Sequence, residues 1–534
     1  MTNSAIQPYP IKSIADSSVD QALANALLTS LAAYRQSLLG RRIWLACSGG
    51  RDSLALAAIC MQLYTQGKLP FLPQLLHVDH GLQADSSLWA NHVAKWAKAQ
   101  QLPCTILKAQ VQGADEQAAR LARYKVMSAY INQGDVLLLA HHADDQAETL
   151  LMRLIQGAGV KGLAAMQPWR EQAQRDFHYV LWRPWLTITR VNISRYTQRL
   201  ALPYIDDPTN DSGDNVRSGL RGEVMPILAH YNPNAIENMA RSAQLLSEAR
   251  AIIEERAAQD LPLVVIESLA ISTAQQVLAI DKLQTLSNPR QRQLLHYWLS
   301  QREPLPPSKQ LIDDVYALAQ RQDNDHQTRL DWYASLQNYS IYRYRQQLYR
   351  LSHNFLDWLA LPVLEKSYVL SVNLYDKSLT DIDIRMDSNT EYRWQLQVDL
   401  TNINKEKWPD LVKLQETIIL KTAPLNRQQK IQTTAMGRAQ SGKKLYQTLE
   451  IPVWLRDSLV VITAIINNDE SLNDSEIESS KTEIPLLLLS PFASWKLTVN
   501  NSLLATINHE LLQDAINSVL QLNNDTNPTI EANQ

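Results

Sequence analysis

Residues 41–60, RRIWLACSGGRDSLALAAIC, carry the reading from which the rest of the chain follows. An apolar run ends in Ser48-Gly49-Gly50-Arg51-Asp52-Ser53, and a helical pattern begins at once. The chain has only 15 glycines in 534 residues, so two adjacent ones here need a reason. A glycine pair between a buried strand and a helix can simply close a tight connection. Three features favour an anion site instead: the turn lies at the strand's carboxyl end, serines flank it, and Asp52 opens the helix. A helix N-terminus offers unpaired N–H groups and a positive dipole end, and a loop without Cβ atoms lets phosphate oxygens approach them. Asp52 would repel phosphate by itself, so it is expected to help hold Mg²⁺ or to fix the loop.

Outward from this loop, IWLACS, QLLHVDH, CTILKA and DVLLLAHH read as buried strands, and the segments from Asp52, Asp85, Asp115 and Asp144 read as helices. That alternation predicts an α/β fold with a doubly wound parallel sheet. Ligands of such sheets bind beyond the carboxyl ends of the strands. From about Asn232 to Arg350 apolar residues recur at helical spacing, and after that YVLSVNLY, DIDIRM and RWQLQVDL alternate like strands. The expected organisation is therefore a catalytic domain over 1–228, a helical middle domain over 229–352 and a small mixed α+β domain over 365–516. Within the last, NNDESLNDSEIESSKTE reads as a solvated acidic loop.

Composition removes several function classes. With 51 basic and 54 acidic residues the net charge is -3, so nucleic acid would have to be bound by local patches. The three cysteines, Cys47, Cys60 and Cys104, form no C-x-x-C pair, which excludes a thiolate zinc site and a disulfide scaffold. No apolar run approaches the roughly 20 residues that span a bilayer, and the N-terminus has no signal-peptide pattern. A cytoplasmic protein with no membrane partner is expected. Gly157 to Gly162 matches the dinucleotide pattern G-x-G-x-x-G, yet it follows a helical run rather than a strand, and reads as a glycine helix stop.

Two further clusters carry chemistry. LLHVDHGLQADS puts His77, Asp79, His80 and Gly81 at the end of the second strand, where core or capping histidines are the bland alternative. AHHADDQAETLLMRL places Asp144 and Glu148 four apart and Asp145 and Glu148 three apart, so one helix surface carries three carboxylates. Acids in a first turn often only complement the helix dipole. Three of them beside His141 and His142 exceed that need and point to a metal or cation site. GADEQAARLARYK supplies Glu116, Arg120, Arg123 and Tyr124, which alone would read as a salt-bridged surface.

The strand, S-G-G-R-D-S loop and helix resemble the pyrophosphate loop (PP-loop) of N-type ATP-dependent adenylating enzymes. Together with H-V-D-H-G-L, E-x-x-A-R-x-x-R-Y, H-H-A-D-D-Q-A-E-T and D-P-T-N (Asp207 to Asn210), in that order, the chain resembles the tRNA(Ile)-lysidine synthetases. IYRYRQQLYRL and GRAQSGKKLYQTLEIPVWLRDSLVVI extend the likeness to the middle and C-terminal regions. Gln83, Gln156 and Ser218 depart from the family pattern, at positions where it usually has arginine, a basic residue and asparagine; Arg217 and Arg221 keep it.

The resemblance implies a ligase that joins free L-lysine to C2 of the wobble cytidine of the CAU-anticodon isoleucine tRNA. The route passes through an O2-adenylated cytidine, releases pyrophosphate and AMP, and changes codon reading from AUG to AUA. It implies ATP as substrate with Mg²⁺, ATP binding by Ser48, Gly49, Gly50, Arg51, Asp52, Ser53, Asp79 and His80, and catalysis by Asp52, Asp145 and Glu148. Asp144, Asp145 and Glu148 are candidates for lysine or metal, and Asp52 and Asp144 for Mg²⁺. Arg120, Arg123, Arg217 and Arg221 would meet the flipped nucleotide and its phosphates. Arg438, Lys443, Lys444, Trp454 and Arg456 form a basic and aromatic group suited to tRNA, with a solvated face around one buried tryptophan as the competing view. A homodimer stays open. The rivals are another PP-loop tRNA-modifying enzyme and a metal-dependent phosphoesterase built on His77, Asp79, His80, His141, His142 and the acids of 144–148. The second leaves the Ser48 to Ser53 loop without a role.

Overall fold

The computed structural model describes residues 14–79, 81, 86–110, 116–174, 177–205, 216–266, 276–322, 328–363, 366–371, 380–386, 392–398, 417–432, 438–467, 481–491, 493–497 and 507–513. His80, Gln83, Asp207 to Asn210 and most of the acidic segment of 467–483 lie outside them. The chain divides into two compact units, Met1–Glu255 and Arg256–Gln534.

In the first unit the order is α1 (Gln21–Ala33), α2 (Arg35–Leu38), β1 (Ile43–Ala46), α3 (Arg51–Thr65), β2 (Gln74–Asp79), α4 (Ser86–Ala99), β3 (Cys104–Lys108), α5 (Glu116–Tyr130), β4 (Val136–Leu138) and α6 (Ala143–Ile155). Then come α7 (Val160–Leu163), β5 (Trp169–Gln174), β6 (Phe177–Trp182), α8 (Arg190–Arg199), α9 (Val216–Gly219), a π turn (Leu220–Val224), α10 (Met225–Tyr231) and α11 (Ala235–Val264), which runs past the unit boundary. The six-stranded sheet has the order β3-β2-β1-β4-β6-β5, parallel except at the β5 edge.

The apolar runs expected to be strands are β1 to β4, and their continuous hydrophobicity has a packing cause. Leu45, Leu75 and Leu138 go to one face, in a core with residues of α1, α3 and α8. Trp44, Leu76 and Leu137 go to the other, in a core with Met127 and Ile131 behind α5. Strands covered on both faces carry no polar alternation. The G-x-G-x-x-G segment is a helix end: Gly157 has φ +72, and the N–H of Ala158 donates to Arg153 O at 3.0 Å, closing α6 in a Schellman arrangement.

The second unit holds β7 (Val277–Ala279), α12 (Ile280–Gln284), α13 (Asn288–Ser300), α14 (Lys309–Ala319), β8 (Arg329–Tyr333), β9 (Asn338–Tyr344), β10 (Gln347–Ser352) and α15 (His353–Ala360). It continues with β11 (Lys366–Ser371), β12 (Thr380–Met386), β13 (Tyr392–Val398), β14 (Thr417–Pro424), α16 (Gly442–Thr448), a 3₁₀ turn (Val453–Ser458), β15 (Val460–Asn467), β16 (Lys481–Ser490), β17 (Ala493–Lys496) and β18 (Ile507–Gln513). Helices α11, α13 and α14 account for the helical periodicity of the middle region. That region also carries an antiparallel sheet, β7-β10-β9-β8, which the helical reading did not contain. Its β9–β10 hairpin turns at Arg345, with φ +52. The C-terminal part forms antiparallel sheets of five and three strands. Among the described residues no helix is long and apolar enough to cross a membrane.

A buried amide adds polar ties to the apolar packing of α3. Gln62 is fully buried; its Nε2 donates to Ile14 O at 3.1 Å and Ser17 O at 3.2 Å, and its Oε1 accepts from Tyr196 Oη at 2.9 Å. Gln62→Leu keeps the shape and leaves two carbonyls and a hydroxyl unpaired, so the N-terminal unit should lose about 2–4 kcal/mol. Urea unfolding of the full chain checks this, and an unchanged midpoint would refute it.

Candidate active site

The loop after β1 is shaped for glycine at one point above all. Gly49 has φ +85, and a Cβ there would meet Val93 Cγ2 at 2.8 Å and Ile205 Cδ1 at 3.3 Å, so conformation and space both exclude a side chain. Gly50 is the N-cap of α3 and makes no side-chain cap. The first intrahelical bond is from Leu54 N to Gly50 O at 3.1 Å, and the amides of the turn before it have no helical acceptor. Ser53 Oγ donates to Gly50 O at 3.0 Å, so in its 3.3 Å contact with Ser48 Oγ it accepts. Ser48 Oγ in turn accepts from Gly50 N at 3.2 Å. Arg51 is anchored on α8 by a 2.8 Å bond to Ser194 Oγ and lies over the Tyr204 ring at 5.6 Å.

This loop opens into a cleft of about 860 Å³ at the carboxyl ends of β1, β2 and β4. Its wall includes Ser48, Asp52, Asp79, Arg120, Arg123 and Asp145. Asp79 accepts the Gly81 N–H at 3.1 Å. His77 is buried and donates from Nδ1 to Cys47 O at 2.8 Å, so it supports the loop from behind.

A charged cluster lies beside the loop, where the histidine and acids at the start of α6 meet Asp52 of α3. His142 is 5% exposed, with Asp144 at 3.4 Å, Asp52 at 3.6 Å and Asp145 at 3.7 Å. Burial opposes its charge, yet the close carboxylates of Asp145, Asp144 and Asp52 raise its pKa to about 10. It is an imidazolium at neutral pH. Burial disfavours the ionised forms of Asp144 and Asp145 as well, but His142 holds both below the ordinary carboxylate range. Asp145 Oδ2 also accepts the His142 N–H at 3.0 Å, and Asp144 Oδ2 accepts the Arg190 N–H at 2.8 Å. His141 is the opposite case: burial first, and then Arg183 against the pull of Asp145, bring it down to about 3. It is neutral, and Nδ1 accepts from Arg183 Nε at 3.2 Å.

Helix periodicity puts Glu148 on the same surface as Asp144 and Asp145, but its neighbours differ. Glu148 is 2% exposed; Arg221 Nε and Nη2 donate to Oε1 and Oε2 at 2.8 and 3.1 Å, and Arg217 Nε lies 3.5 Å from Oε2. It is not on the cleft wall, and two of the four arginines expected at RNA, Arg217 and Arg221, are joined to it. Arg120 and Arg123 do line the cleft, Arg120 lying 5.3 Å over Tyr124. In the second unit Arg438, Lys443 and Lys444 are exposed. Trp454 stacks on Tyr342 at 4.4 Å and packs against the core, and Arg456 lies over Tyr446 at 5.1 Å.

The fit to Mg²⁺ differs between the two candidates. Asp52 Oδ1 is buried without a hydrogen-bond partner, on the wall beside the phosphate-shaped loop. Mg²⁺ commonly takes one or two carboxylates and completes its shell with phosphate oxygens and water, so Asp52 fits. Asp144 lies off the cleft wall and is engaged by Arg190 and His142. Among the described residues no three His, Cys, Asp or Glu side chains gather as a metal site. Sequence reasoning missed the central role of His142, for which the only signal was two histidines just before the acids, and missed Arg183 and Arg190, for which there was none.

Comparison with known proteins adds independent findings. Residues 20–228 match a family model described as a PP-loop domain, and residues 278–349 one described as the TilS substrate binding domain. A tRNA(Ile)-lysidine synthase of a Psychrobacter strain is 41% identical over 527 residues, covering 91% of this chain and 97% of the relative. The enzyme of the same name from Pseudomonas aeruginosa is 40% identical over 299 residues, 54% of this chain and 64% of the relative. That from Pseudomonas syringae is 37% identical over 284 residues, 53% and 62%. A glycine-floored loop at the end of the first strand, acids beside it, and likeness along nearly the whole length of a relative agree: the chain belongs to the tRNA(Ile)-lysidine synthase family.

Proposed function

We propose that this chain forms lysidine on tRNA(Ile) in two steps at one cleft, with ATP and free L-lysine as co-substrates, in the cytoplasm. The observation that carries this reading is that the α3 N-terminus, the unpartnered Asp52 Oδ1, Asp145 and two arginines share a single cleft. In the first step the C2 oxygen of the wobble cytidine attacks the α-phosphorus of ATP, and the bond to pyrophosphate breaks. The loop amides and Ser48 hold the departing phosphates, and Arg120 and Arg123 meet the extruded nucleotide. Mg²⁺, when bound, supplies charge neutralisation for the phosphates, and Asp52 is the residue to hold it.

In the second step the lysine ε-nitrogen bonds to C2, and the C2–O bond breaks with its electrons leaving on AMP. Free lysine is a poor nucleophile at pH 7, since roughly one molecule in two thousand is unprotonated at a pKa near 10.4. Asp145 binds the ammonium and takes its proton as the C–N bond forms. His142 is already protonated and cannot be that base; it keeps Asp52 and Asp145 apart in charge and fixed in place. Glu148 acts at one remove, by setting Arg217, whose charge helps to keep Asp145 ionised.

The direct test is incubation with ATP, Mg²⁺, labelled lysine and a CAU-anticodon isoleucine transcript, with a methionine transcript as control. Label should enter the isoleucine RNA alone, with one pyrophosphate and one AMP per lysine; RNA left unlabelled would overturn the reading. Asp52→Asn should slow pyrophosphate release by about 10²–10³-fold. Asp145→Asn should leave that release within about tenfold while lysine transfer falls by about 10²–10³-fold. Equal loss of both half-reactions in Asp145→Asn would remove the division of labour.

The raised His142 value has a consequence for stability. A folded value of about 10, above the unfolded value of about 6.5, means that the contribution is complete below about pH 6.5 and is lost as pH rises through about 10. In EDTA and without nucleotide, His142→Gln should lower Tm by several degrees at pH 6, and the gap should close towards pH 10. A gap that widens with pH would contradict the imidazolium.

A further inference from the structure

Beyond the cleft, the first unit gathers cations that neither reaction step employs. Arg153 comes from the last turn of α6, Lys161 from α7, Arg170 from β5, Arg183 from just past β6, and Arg250 from α11. Among the described residues their ion pairs involve one carboxylate, Glu254, whose Oε1 lies 2.9 Å from Arg250 Nε and 3.9 Å from Lys161 Nζ. Arg153 Nη1 is satisfied by a neutral partner, Gln156 Oε1 at 3.3 Å. Arg183 is 4% exposed and faces inward, bonded to His141 Nδ1 and, at 3.0 Å, to Gln167 O. Arg153 and Arg170 are exposed, and Lys161 and Arg250 are half-buried.

These groups act on one another. The Arg170 guanidinium is held below its ordinary value, first by burial and then by Arg250, with Arg153 adding to the effect. Lys161 is depressed in the same way, by burial and by Arg250 and Arg170, against Glu254. Arg183 lies within electrostatic reach of both Arg170 and the cleft residue Arg120. In a chain of net charge -3, five cations whose ion pairs among the described residues involve one carboxylate are a local excess that raises the free energy of the empty protein. A polyanion repays it through counterion release.

We propose that Arg153, Lys161, Arg170 and Arg250 form a phosphate track that carries the RNA backbone away from the reacting nucleotide. The identity of the polyanion as RNA rests on the lysidine reading, whereas the track itself rests on the charge geometry. No base edge is read here; the track sets position and affinity, and the cleft sets chemistry.

The test measures Kd for the isoleucine transcript at several KCl concentrations. Arg170→Gln with Arg250→Gln should weaken binding about tenfold or more at physiological salt and reduce the slope of log Kd against log salt by roughly 1.5. With saturating RNA, kcat for lysine incorporation should stay within about twofold. The charge-preserving pair Arg170→Lys with Arg250→Lys should keep the slope, which separates charge from misfolding. An unchanged slope in the Gln pair, or an equal drop in the Lys pair, overturns the track. If the unaltered protein incorporates lysine and the slope does not move, only the track fails. If it incorporates none and the slope does fall, the reaction reading fails and the track stands.

Discussion

A buried imidazolium among three carboxylates is the contact on which the site depends. His142 stands at the start of α6, Asp144 and Asp145 in its first turn, and Asp52 in the first turn of α3. Three acids that close would repel one another; the cation between them offsets that repulsion and holds Asp144 and Asp145 below the ordinary carboxylate range. It also ties together the two helices whose N-termini face the cleft. Breaking one partner of such a buried group leaves the others uncompensated, which costs far more than the net worth of the cluster. The phosphate loop and the acids are therefore a single electrostatic object.

That object reconciles two opposite demands. A triphosphate is strongly anionic, and the amino acid that follows carries an ammonium. Glycines and helix amides on the β1 side suit the first; Asp145 on the α6 side suits the second. Without His142 the negative charge of Asp52 and Asp145 would extend over the loop and oppose phosphate. With it, the field changes sign within the width of one side chain.

The parallel sheet was legible because strands covered on both faces must be apolar throughout, as β1, β2 and β4 are, and because the loop glycines obey a local backbone rule at Gly49. What escaped is what depends on partners distant in sequence. The spacing of Glu148 put it on the face of Asp144 and Asp145, but spacing is silent about Arg217 and Arg221, which approach Glu148 from some 70 residues on. The sheet β7-β10-β9-β8 was hidden for another reason: β7 is only three residues long, two of the sheet's strands follow helices of clear period, and NYSIYRY mixes three tyrosines with an arginine instead of alternating cleanly. Trp454 had the composition of a base-stacking residue, and local sequence could not show its ring contacts with Tyr342 and Tyr349.

The near-neutral total charge of the chain conceals how unevenly the charge is distributed. Asp52, Asp79 and Asp145 line the cleft with His142 beside two of them, Arg120 and Arg123 stand on its wall, and the further cations beyond ion-pair, among the described residues, with one carboxylate. Long-range attraction of RNA by the whole molecule is weak at net charge -3, so the approach must be governed by fields within about a Debye length of the surface. A local field of that kind favours an RNA that can lay its backbone along the cations while one base enters the cleft. A strand able to satisfy only one of those contacts loses the other's contribution, and discrimination then arises from the joint geometry more than from either contact alone.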